Sequence, residues 1–124
     1  MALQGNRAPV FDRPGGDRSM TASNRPIDMA HLARQTLGDR ALEAEVLGLF
    51  LHQIGSIYDR VAACDAEERR MLAHGLVGSA RGIGAFSLAE CAAEMEARPG
   101  SEILNKRLRV KIDEVRDFIA AISR

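Results

Sequence analysis

From about residue 28 to the end of the chain, apolar residues recur every three to four positions, and no segment shows the two-residue alternation of a strand. Leu42, Val46, Leu49, Phe50, Ile54, Ile57 and Val61 form one stripe, and Leu104, Leu108, Ile112, Val115, Ile119 and Ile122 another. Between them lie a shorter stripe of Leu88, Cys91, Ala92 and Met95, and one of Leu72, Leu76, Ser79 and Ile83 flanked by Ala73 and Ala80. Turn chemistry separates these runs. Asp28 is expected to cap a short helix that ends at Gly38, and Asp39 to cap the next. Asp65 with Glu68, and Ser87 with Glu90 after a Gly84–Ala85 break, have capping-box spacing. Pro99–Gly100 closes the second of these helices, and Ser101 caps the last. The pattern predicts an all-α fold, an antiparallel up-down-up-down four-helix bundle with a short additional N-terminal helix.

Residues 1–25 carry no such period. Their mixture of Gly, Pro, Arg, Asn and Ser predicts a flexible N-terminal tail ahead of a bundle over residues 26–124. Val10 and Phe11 read either as a small docking element or as part of a featureless leader. Composition narrows the function classes. With no Trp and a single Tyr the core must be aliphatic, and 17 basic against 17 acidic residues leave no excess to attract nucleic acid. No apolar run nears the ~20 residues of a membrane span, and the N-terminus lacks a charged-then-apolar leader. Cys64 and Cys91 make no disulfide framework, and Cys91 reads as a small buried hydrophobe. The expectation is a monomeric cytoplasmic protein with neither nucleic acid nor membrane as partner.

Candidate chemistry gathers in residues 72–85, LAHGLVGSARGIGA. On a helical wheel His74 stands opposite the apolar stripe, with Arg70, Met71, Val77, Gly78 and Arg81 on its own side. Gly78 lies one turn on from His74, and Gly75 and Gly82 clear the adjoining strip. Each glycine inside a helix costs roughly 0.5–1 kcal/mol relative to alanine. Several together imply close approach, either by a neighbouring helix or by a partner. His31 and His52 read as solvated surface. A metal site built from the histidines and a cysteine has no ligand spacing behind it, and Ser79 sits in no nucleophile elbow.

The run HGLVGSARGIGAFSLAECAAEMEA resembles the signature of histidine phosphotransfer domains, through His74, Leu76, Gly78, Ser79, Ala80, Gly84, Ala85, Leu88, Cys91 and Glu96. The likeness extends more loosely over residues 27–124. It implies a helical bundle in which His74 is the phosphoacceptor. The histidine would take a phosphoryl group from a receiver-domain phosphoaspartate and pass it to another receiver aspartate. Response-regulator receiver domains and a hybrid histidine kinase are the implied partners. No cofactor is intrinsic, and Mg²⁺ is expected from the receiver. In one place the chain departs from the family: Val77 stands where a lysine commonly helps to hold the phosphate.

Arg81 and Arg70 are candidate phosphate or partner contacts, with Gly78 and Gly75 leaving room, and Met71, Val77 and Gly82 are candidates for receiver docking. Arg81 lies roughly 10 Å along the axis from His74, and Arg70 roughly 6 Å. An imidazole offers a nucleophilic nitrogen near neutral pH, and the resemblance implies a phosphocarrier rather than an autonomous enzyme. The alternative is an adaptor or inhibitor that carries no phosphate and binds receiver or kinase domains through the same helix face. Val77 favours the adaptor, and the retained His74 beside Gly78 favours the carrier.

Overall fold

The computed structural model describes residues 25–123. The segment that holds Val10 and Phe11 lies outside them. Among the described residues there are five helices and no strand: α1 (Met29–Gln35), α2 (Arg40–Val61), α3 (Ala66–Ile83), α4 (Phe86–Ala97) and α5 (Glu102–Ile122). Four of the five begin on a side-chain cap. Asp28 accepts from the His31 N–H, Asp39 from Leu42, Asp65 from Glu68 and Ser101 from Leu104, at 2.9–3.1 Å. The Glu68 carboxylate is taken by Arg60, so only the Asp65 half of that capping box is seen.

Ser87 does not cap α4. Gly84 adopts a left-handed φ of 95° and ends α3, after which the buried Ala85 leads straight into helix, with its carbonyl accepting from Ala89 N–H. The helix therefore begins at Phe86, and Ser87 falls inside its first turn. α1 likewise stops at Gln35, short of Gly38. The reversal is a Schellman-type turn in which the Gly38 N–H reaches back to the Ala33 carbonyl at 2.9 Å. Leu37 precedes Gly38 at φ 56°, a conformation that costs a leucine roughly 1–2 kcal/mol.

Packing runs α2 on α3, α3 on α4, α4 on α5 and α5 on α2, with α1 laid against α3. These contacts enclose one core of aliphatic side chains, including Ile54, Leu76, Leu88, Met95, Leu108 and Ile112. Cys91 is buried within it, and burial pushes its thiol pKa up. The stripes of α2 and α5 need correction. In α2 the buried residues are Leu47, Phe50, Ile54, Ile57 and Val61, whereas Leu42 and Leu49 remain 41% and 69% exposed. They sit roughly 80–100° around the wheel from Phe50, on the flank toward α1 rather than toward the core. Ile122, at the last residue of α5, is also exposed.

Two basic clusters fasten the helices. Arg69 is buried in the first half of α3 and donates to the Val61 carbonyl at 3.0 Å, the Pro99 carbonyl at 3.4 Å and the Glu102 carboxylate at 3.0 Å. It thereby ties the end of α2, the start of α3 and the α4–α5 connection. Its hydrogen bond, with that of Asn105 and its own charge, holds the Glu102 carboxyl below the usual range. On α2, Tyr58 lies under the guanidiniums of Arg109 and Arg116, 5.0 and 5.2 Å from the ring centre, which pins α2 to α5.

α1 is seated on the end of α3. Ile27 and Leu32 are buried, and the Asp28 N–H donates to the Gly84 carbonyl at 2.9 Å. His31 is not solvated surface as its sequence position suggested. Its Nε2 is 3.1 Å from the Gly82 carbonyl, and its ring meets Phe86 edge-on at 5.1 Å. A β-carbon on Gly84 would stand 2.9 Å from the Asp28 carbonyl, so glycine is required there both by φ and by space. No helix among the described residues is long and apolar enough to cross a membrane.

Candidate functional site

The buried face of α3 is rotated from the expected pole. Arg69, Ala73, Leu76, Ala80 and Ile83 are buried, while Leu72 and Ser79 are only half-buried. The centre of burial thus lies roughly 40° further round, toward Ala73 and Ala80. α3 and α4 form the most extensive helix contact, lined by small buried residues on both sides: Ala73 and Ala80 on one, Ala89 and Ala92 on the other. Small side chains let two helices approach closely. The rotation has two consequences. It draws Val77 partly into the core, so that Val77 is half-buried rather than exposed. It also brings His74 beside the end of α4.

There, His74 Nδ1 lies 2.8 Å from Glu96 Oε2. A carboxylate only accepts, so the contact places a proton on Nδ1, and in the neutral ring the Nε2 lone pair is then free. The His74 side chain is 73% exposed and that of Glu96 31%. The structure therefore shows an exposed imidazole whose inner nitrogen is held and whose outer nitrogen faces solvent. Glu96 came out of the sequence only as a position of the family signature, with no role attached. It lies 22 residues from His74, and no local pattern links the two.

The remaining candidates divide. Arg70 grips Glu67 with two hydrogen bonds of 3.1 and 2.6 Å, which lower the Glu67 pKa and raise its own; Glu96 adds a smaller attraction. Its fork is committed away from His74. Arg81 is exposed and enters none of the ion pairs formed among the described residues. Met71 is 62% exposed. Together with Gly75, Gly78 and Gly82 it forms a strip to one side of His74. A β-carbon at any of these three glycines would meet nothing within 4 Å. Packing against a neighbouring helix therefore does not require them. Gly82 has a second duty, since its carbonyl receives His31.

Ser79 closes the back of this strip. Its hydroxyl donates to the Gly75 carbonyl at 3.0 Å and accepts from Gln53 of α2 at 2.9 Å, so it braces the helix. His52 is exposed on α2, away from any such brace. Among the described residues no group of three or more His, Cys, Asp or Glu side chains is arranged to hold a metal ion. Comparisons with protein-family models, with curated proteins and with solved structures return no match.

Proposed function

We propose that this chain is a phosphorelay intermediate, an antiparallel up-down-up-down four-helix bundle of the histidine phosphotransfer kind. His74 accepts a phosphoryl group from the phosphoaspartate of one receiver domain and delivers it to the aspartate of another. The observation that carries the proposal is the pairing of His74 Nδ1 with Glu96, which in the neutral ring leaves the Nε2 lone pair free beside an open glycine strip.

In the forward step the Nε2 lone pair attacks the phosphorus of the receiver's acyl phosphate. A P–N bond forms as the P–O bond to the aspartate breaks, and the aspartate leaves as carboxylate. The ring gains positive character during the attack, and the Glu96 carboxylate at Nδ1 offsets it. The return step reverses these bonds. Phosphoryl transfer of this kind depends on positioning and charge compensation more than on covalent help from the protein. The chain contributes the oriented nitrogen and the landing strip of Met71, Gly75, Gly78 and Gly82. Arg81, whose planar fork suits phosphate oxygens, is the cation available on the same face. Mg²⁺ and a hybrid kinase or receivers belong to the partners in this scheme.

The second reading, an adaptor that docks on receivers without carrying phosphate, draws on Val77. That side chain leans on the core where the family's lysine would reach for phosphate. One experiment separates the two. Receiver domains carrying radiolabelled phosphate are mixed, with Mg²⁺, with wild type and with His74→Gln. Acid-labile, base-stable label on wild type alone supports the phosphocarrier. Measurable receiver binding without label on either protein supports the adaptor.

A further inference from the structure

Beside the glycine strip lies an apolar groove of about 360 Å³ between α1, the first half of α2 and the end of α3. Its walls include Leu32, Leu42, Val46, Leu49, Phe50 and Ile83. Leu42 and Leu49 are the two leucines whose spacing assigned them to the core and which the fold leaves exposed. Large apolar side chains left open around a concavity mark a place that something covers.

We propose that the groove is filled by the chain's own residues 8–11, Ala8-Pro9-Val10-Phe11, folding back over α1. Three observations favour this occupant. The first is size. A groove of this volume is near the lower end of ligand-sized sites. It takes a few side chains, whereas a stable subunit interface needs roughly 800 Å² from each partner.

The second is reach. The described chain begins at Arg25, and α1, which supplies the Leu32 wall, starts at Met29. α1 is only about 10 Å long. The 13 residues 12–24 between Phe11 and Arg25 span at most roughly 45 Å. As a coil they would average about 20 Å end to end. A tether of that length gives an effective concentration in the millimolar range, so a contact too weak to form between separate molecules forms within one.

The third is chemistry. Phe11 is the only aromatic residue among the first 24, and it adjoins the branched aliphatic Val10. Pro9 fixes its own φ and favours extended backbone at Ala8, which lowers the entropy lost on docking. Arg7, Asp12 and Arg13 flank the pair with charge, so one short apolar element enters the groove and its neighbours stay in water. The groove shares Gly82 with the proposed docking strip, but its occupancy is measured without any phosphotransfer.

The chain has no tryptophan, so Phe11→Trp in the full-length protein places a single reporter. Its emission is expected to be blue-shifted and shielded from acrylamide at every protein concentration, and to return to a water-like spectrum on adding Leu49→Asp. Because an indole is larger than a phenyl ring, a second measurement follows the methyl resonances of Leu42, Val46 and Leu49. These are expected to move between wild type and Phe11→Ser. Unmoved methyl resonances together with water-like emission overturn the proposal. So does a blue shift that grows with concentration, which identifies a second copy as the occupant. A blue shift that survives Leu49→Asp overturns it as well, since the indole is then seated elsewhere.

Discussion

At His74 a single carboxylate 2.8 Å away determines which imidazole nitrogen is available. If Glu96 holds Nδ1–H for chemistry, Glu96→Ala removes a charge-assisted hydrogen bond worth about 1 kcal/mol at this degree of exposure. Transfer to His74 is then expected to slow about five- to tenfold in single-turnover measurements. Glu96→Gln keeps an accepting oxygen without the charge and is expected to fall between. Equal rates in all three proteins would remove Glu96 from the mechanism. Gly78 supplies a complementary test, because a β-carbon there meets nothing. Gly78→Ala should raise unfolding free energy by about 0.5–1 kcal/mol through helix propensity. The same methyl, one turn from the imidazole, should weaken receiver binding in titration calorimetry. A loss of stability would show that the strip is packed rather than open.

The helices show which features of a sequence carry structural information. The stripes of α4 and most of α5, and the caps at Asp28, Asp39, Asp65 and Ser101, are visible because each depends on residues three or four apart. Ser87 and Glu90 have the same spacing and yet cap nothing, because the left-handed turn at Gly84 starts α4 before Ser87 is reached. Leu42 and Leu49 lie on a wide apolar arc of α2, and the packing of α2 against α3 and α5 decides which part of that arc is buried. The partnership of His74 with Glu96 depends on how far α3 rolls against α4, a tertiary quantity absent from either helix alone. His31 is anchored by the Gly82 carbonyl, 51 residues away.

Two further outcomes belong at this scale. Gly84→Ala combines a positive φ with a contact to the Asp28 carbonyl, so it is expected to cost about 2 kcal/mol or more and to loosen α1. Urea unfolding measures the cost, and an unchanged midpoint would contradict the seating of α1. The Arg69–Glu102 contact makes a pH-dependent prediction. The folded-state pKa of Glu102 is lowered, so its contribution is present above the usual carboxylate range and is lost as pH falls through the folded value. Wild type should therefore lose stability more steeply below about pH 5 than Glu102→Gln. Parallel acid profiles for the two would count against the contact.

At the scale of the whole molecule, the described residues form a helical assembly whose interior is filled largely with aliphatic side chains and whose candidate site lies on one outer face. Arg69 and the Tyr58 stack hold helices together away from that face. The His74 surface is left with an oriented imidazole, bare backbone and Arg81. Such a division suits a protein that docks rigidly and leaves the reaction to the partner's acyl phosphate. Its most direct test is ³¹P NMR of the full-length protein mixed with a phosphorylated receiver and Mg²⁺. One phosphohistidine resonance, assigned to Nε2 of His74 and absent from His74→Gln, is the expected result. A spectrum without that resonance, recorded while the receiver is demonstrably bound, would contradict phosphotransfer by this chain.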